Sequence, residues 1–299
     1  MQKMLYICKN QKHKMMKRIL LLGLMLAGVT AAAQGVAAKP SNRVKTMKLE
    51  YVGSGSTSDY SFFYDAEGRL ASYVVKSTIL GEVSTSTYTF TYDDEKDRAV
   101  LKSSDGEVSE YTFLPQSSLL GTHEPFRNLA VLRDWPCYEG EYPSAGGISQ
   151  FLYGNGCLTW AWEENYTVNA TESLNFNWNS DLTGGLQSVS GEMYDGGVWG
   201  IGDIEYEEAA NPFEGVDPMA LLLGTGCQSW WMGLAGLRPD RLIKSYSYAE
   251  LDWMEAENPD TEPVWKTVKL VYMKDPTGRI LSISQVFDGE VDMRVKLTY

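Results

Sequence analysis

The feature that most constrains this chain is a two-residue alternation that restarts after each tight turn. Tyr88, Phe90 and Tyr92 fall on one face of an extended segment, and Thr87, Thr89 and Thr91 fall on the other. Period two gives a strand one buried face and one wet face. Upstream, Tyr60-Ser61-Phe62-Phe63-Tyr64 runs into Asp65-Ala66-Glu67-Gly68, and Arg69-Leu70 resumes the extended pattern. Asp and Gly tolerate the left-handed backbone of a hairpin turn, and aromatic and β-branched residues suit a pleated surface.

The unit returns at Leu174 to Trp178, with turns at Gly184-Gly185 and Asp195-Gly196-Gly197, and again from Val268 to Tyr272, with Asp275 to Gly278 and Asp288-Gly289 as turns. Closing aromatics recur at near-constant separation: Tyr64 to Tyr92 is 28 residues, Trp178 to Tyr206 is 28 and Tyr272 to Tyr299 is 27. Two strands and two turns account for that spacing. The predicted fold is all-β, a large twisted antiparallel meander sheet that forms a curved sheet or a partly closed barrel. It carries one short helical insert over 217–237, where Asp217 is the N-cap and Pro218 the first helical residue. That apolar insert is expected to plug one face or end of the sheet, with a second short helix from Trp230 to Leu237.

Tyr64-Asp65-Ala66-Glu67-Gly68-Arg69-Leu70 resembles the YD repeat of Rhs-type shells, and Tyr272 with Gly278-Arg279-Ile280 resembles a copy lacking the Asp after Tyr. Together with the leader below and the segment Leu234 to Ser245, the pattern is similar to that of secreted domain-of-unknown-function proteins of gut Bacteroidetes. The resemblance implies a β fold and an exported compartment, and it supplies no catalytic residues.

Lys12, Lys14, Lys17 and Arg18 precede the apolar run Ile19 to Val29, and Ala31-Ala32-Ala33 follows. This reads as a signal peptide over 1–33, whose 11-residue run is shorter than the roughly 20 residues a membrane helix needs. Residues 34–43 read as a flexible lead-in and 44–299 as a single domain. No cysteine stands at the cleavage point, so a lipoprotein is not expected. The expected location is periplasmic or extracellular, without a membrane span.

The whole chain carries a net charge of −13, but the leader holds six of the basic residues and none of the acids, which leaves 20 basic and 39 acidic residues, −19. Such a surface repels phosphate backbones, so nucleic acid is not an expected partner. A glycan or another exported protein is the partner class left open. Three cysteines follow the leader, and a Cys137–Cys157 disulfide with a buried Cys227 thiol is one arrangement suited to an oxidising compartment. No CxxC exists, and His123 is the single histidine after the leader, so neither a metal nor another cofactor is expected.

Regularity fails over 114–170, where a fold usually places its special surface. Pro125 to Trp135 reads as a short helix or an irregular strand, and β structure resumes at Ile148 to Tyr153 and at Cys157 to Glu163. All nine tryptophans lie at or after Trp135. Trp160 and Trp162 share a strand face and could form a flat platform for sugar rings, or cover the core. Glu163 and Glu164, directly after them, are the candidate carboxylates of a glycoside hydrolase, which needs two such groups. Acidic groups also cluster at Asp203, Glu205, Glu207 and Glu208 and at Asp93 to Asp97, the latter as candidate calcium ligands or as a solvated hairpin tip. The function expected from the sequence is a non-enzymatic exported scaffold or binding protein. The alternatives are a carbohydrate-binding protein using Trp160, Trp162 and Glu163, and a glycoside hydrolase.

Overall fold

A computed structural model describes residues 42–114, 129–135, 147–154, 157–165, 170–178, 185–192, 198–223, 239–251 and 263–299. Among these residues sixteen strands form: β1 Thr46–Tyr51, β2 Ser56–Tyr64, β3 Leu70–Ile79, β4 Glu82–Asp93, β5 Arg98–Ser103, β6 Val108–Phe113, β7 Leu129–Trp135 and β8 Gly147–Gly154 make the first half. The second half is β9 Cys157–Asn165, β10 Ala170–Trp178, β11 Leu186–Glu192, β12 Val198–Ala210, β13 Arg241–Leu251, β14 Lys266–Lys274, β15 Ile280–Phe287 and β16 Glu290–Thr298. Each pairs antiparallel with its sequence neighbours. Thr46 of β1 sits opposite both Ser61 of β2 and Thr298 of β16, so the meander closes into a barrel. Residues 129–135 are a strand rather than the short helix the sequence also allowed.

Of the helical insert expected over 217–237, the described part forms α1, Pro218–Leu222, with the Asp217 carboxylate accepting from the Met219 N–H and Pro at the first position. Met219, Ala220, Leu222 and Leu223 are fully buried, and with Phe213 and Val216 they join one core cluster that draws on the strands all around the barrel. The Tyr246 hydroxyl of β13 donates to the Leu222 carbonyl (2.6 Å), so the buried face of the strands is the face that looks at this plug. Asn211 anchors it: its amide donates to Asp217 Oδ2 (2.8 Å) and to the Pro239 carbonyl (3.0 Å), and its oxygen accepts from the Phe213 N–H (3.1 Å). The expected Trp230 to Leu237 helix, residues 115–128 (His123 among them), Cys137 and Cys227 lie outside the described residues.

The six aromatics whose spacing defined the repeat share one contact. Tyr64 donates its hydroxyl to the Val44 carbonyl (2.9 Å), Tyr92 to Leu70 (2.8 Å), Tyr206 to Leu186 (2.7 Å), Tyr272 to Ile243 (2.5 Å) and Tyr299 to Ile280 (3.0 Å). Trp178 does the same with its indole N–H to Leu158 (2.7 Å). Each acceptor is a buried aliphatic residue near the start of a neighbouring strand, so every tie fastens the plugged end of one ribbon. Toward the other end the inner face opens to water: Ser84 on β4 and Glu163 on β9 point inward yet are exposed.

The outer face carries the opposite chemistry. Lys48, Asp59, Lys76, Lys102, Glu110, Lys269 and Arg294 alternate with buried or half-buried inner positions, alongside the row Thr85, Thr87, Thr89 and Thr91. Glu50 accepts from the Lys296 ammonium (2.8 Å), with Lys48 and Arg294 beside it, and that hydrogen bond holds its carboxyl below the usual range. Phe63, Leu152 and the β14 neighbours Val271 and Met273 are exposed apolar exceptions.

Candidate functional site

Strand β9 positions the tryptophan pair. The register sets Leu152, Trp160 and Asn175 in one row across β8, β9 and β10, and Gln150, Trp162 and Ser173 in the next. Phe151, Ala161 and Leu174, one residue along each strand, form the buried row between them, so both tryptophans stand on the outer face, half-buried. Leu152 beside them is 58% exposed. Asn175, Asn177, Ser188 and Ser190 continue the surface across β10 and β11 as uncharged amides and hydroxyls, and the Asn177 amide donates to Ser188 Oγ (2.9 Å). The outcome is an aromatic strip flanked by amides and hydroxyls, with the register row Ile148, Glu164 and Thr171 next to it.

Glu163 is not part of that strip. Successive side chains alternate, so Glu163 projects to the inner face, where the register sets it opposite Ser149 and Glu172. Adjacent in sequence, the tryptophans and this carboxylate are on opposite sides of the barrel wall. Cys157 is half-buried at the start of β9, and burial pushes its thiol up. The proposed pairing with Cys137 falls outside the described residues.

The acidic clusters are engaged by neighbours. Asp94 accepts from the Arg69 guanidinium (2.8 Å), and Asp93 pairs with Lys96 (2.9 Å). Asp203 accepts from Ser247, and Glu205 from Lys244 and Ser245, each at 3.1 Å. The Lys244 hydrogen bond holds Glu205 below the ordinary carboxylate range. Among the described residues no group of three or more His, Cys, Asp or Glu side chains is placed to hold a metal ion.

One feature of the surface escaped sequence reasoning. The β3–β4 hairpin turns on Leu80-Gly81, with φ of 52° and 85°, and the β15–β16 hairpin turns on Asp288-Gly289, with φ of 49° and 86°. Both are two-residue loops with positive φ at each central position, which favours Asn-Gly or Asp-Gly. A leucine in that slot is the signal that could have been read from sequence.

An all-antiparallel meander closed into a barrel, apolar within and polar without, is the class these strands define. No family model and no curated protein matches the chain. Among solved structures it is similar to a porin-like protein from Bacteroides uniformis, at 16% identity and a TM-score of 0.59, over 87% of this chain and 98% of that one. A porin-like protein from Bacteroides vulgatus is similar at 10% identity and a TM-score of 0.58, over 87% and 99%. At such identities the likeness concerns the fold. Both relatives come from Bacteroides, in keeping with the Bacteroidetes resemblance of the sequence, while the YD-repeat likeness rests on sequence alone. No helix among the described residues is long and apolar enough to cross a membrane.

Proposed function

We propose that this chain is an exported, non-enzymatic binding protein that keeps its barrel in water and carries an uncharged glycan on the outer strip around Trp160 and Trp162. The observation that carries the reading is the outward placement of that aromatic pair among Gln150, Ser173 and Asn175. An indole face suits the apolar face of a sugar ring, and flanking amides and hydroxyls can exchange hydrogen bonds with its hydroxyls.

The polarity of the wall supports a barrel outside the membrane. A membrane-spanning barrel shows lipid an apolar band about 25 Å tall, and each Lys or Arg at its midplane costs about 2–4 kcal/mol. Here Lys48, Lys76, Lys102, Lys269 and Arg294 face outward, whereas the apolar rows face inward. The porin-like names of the structural relatives do not transfer membrane insertion to this chain. Export rests on the leader reading at residues 1–33.

The test is a glycan array of neutral and acidic oligosaccharides, probed with the chain from Gln34 onward and with a Trp160→Ala/Trp162→Ala variant. Binding confined to neutral glycans and lost in the variant, with thermal stability within a few degrees of the parent, is expected. Array signals that persist in the variant, or a variant that no longer folds, would return these tryptophans to a packing role.

A further inference from the structure

We propose that the β3–β4 hairpin tip is a membrane-surface wedge that attaches the barrel reversibly to a bilayer of zwitterionic lipids. Leu80 is 90% exposed, and Ile79 and Val83 beside it are 57% and 59% exposed. Ile79 pairs with Glu82 and Thr78 with Val83, so Ile79 and Val83 lie on opposite faces of the ribbon and Leu80 caps it. Ile79 stands beside Glu82 on one face, Val83 beside Thr78 on the other and Leu80 at the cap, so the apolar side chains point in three directions, which suits a surrounding bilayer interface rather than a one-sided protein groove. The equivalent turn at Asp288-Gly289 shows what the backbone conformation alone favours, so the leucine is held there against local preference. Below the tip, Ser77, Thr78, Ser84 and Thr85 give hydroxyl walls, matched to the headgroup layer.

Charge selects the lipid. Glu82 stands at the tip itself, the adjoining β5–β6 tip carries Asp105 and Glu107, and Asp288 lies on the β15–β16 tip at the same barrel end, all exposed. Their carboxylates repel an anionic surface and keep the insertion shallow, which is the reverse of a basic peripheral protein. The same acids disfavour a second copy of the chain as the occupant.

The experiment is sedimentation of the chain from Gln34 onward, which holds all sixteen described strands, with vesicles of phosphatidylcholine alone or mixed with phosphatidylglycerol. Expected are partition onto the neutral vesicles, a decline as phosphatidylglycerol is added, and partial recovery of the mixed-vesicle binding in high salt. Leu80→Asn, which suits the left-handed turn, is expected to lower partition by about tenfold while leaving the melting temperature equal or higher. Absence of wild-type binding, undiminished binding by Leu80→Asn, or an L80N-sensitive self-association without vesicle binding would each overturn the proposal. These outcomes are independent of the glycan strip, which Leu80→Asn leaves untouched.

Discussion

At the scale of single residues, the ends of the ribbons are fixed by a small set of atoms. Gly68 has φ of 82°, a conformation that requires glycine, and a Cβ there would also displace the Arg43 guanidinium, 2.0 Å away. Arg43, Arg69 and Arg279 each precede the residue whose carbonyl accepts a closing tyrosine, and each guanidinium lies over that tyrosine's ring, at 5.8, 4.2 and 5.6 Å. Burial pushes the tyrosine hydroxyls up, to about 12 for Tyr206 and Tyr299, and upward for Tyr64 and Tyr272 as well. A pKa raised in the folded state means that the neutral phenol stabilises the fold fully below about pH 10, where the unfolded chain begins to ionise. That stabilisation is lost as pH rises from there through the folded value. Absorbance at 295 nm followed with far-ultraviolet circular dichroism is expected to show one tyrosine population ionising near pH 10 and another ionising only as β signal disappears. Ionisation of all tyrosines near pH 10 with the β signal intact would contradict the ties.

At the scale of elements, local pattern was a good guide and adjacency in sequence a poor one. The hairpins, the closing aromatics and α1 were legible because each depends on residues close in sequence. Asp65 and Asp275 make the same turn: each accepts the backbone N–H of the arginine four residues on, at 2.7 and 3.0 Å, although Tyr immediately precedes only Asp65. These two hairpins therefore share an Asp-x-x-Gly-Arg turn and differ in where the preceding tyrosine sits. Glu163 was misgrouped with the tryptophans because a strand sends neighbours to opposite faces. The plug depends on Asn211 and Asp217, both buried. Asp217→Ala removes the helix cap and leaves the Asn211 amide short of an acceptor, with an expected cost of about 2–4 kcal/mol in urea unfolding. A loss below about 0.5 kcal/mol would show that the plug is not held this way.

At the scale of the whole molecule, closure was the part the sequence left open between a curved sheet and a partly closed barrel. The pairing of β1 with β16 joins residues about 250 apart, as the Thr46 and Thr298 hydroxyls do at 2.7 Å, and no local periodicity encodes such a contact. Closure leaves no unpaired edge along the described strands, and the sign of the wall then decides its solvent. Apolar rows inward and charged groups outward are what the proposed water-facing barrel rests on. The most direct test is to refold the chain from Gln34 onward in detergent-free buffer and follow it by sedimentation velocity and circular dichroism. The account expects a discrete, soluble, β-rich species that stays in the aqueous phase on detergent phase separation. A chain that aggregates without detergent, and becomes β-rich only in micelles or bilayers, would contradict it.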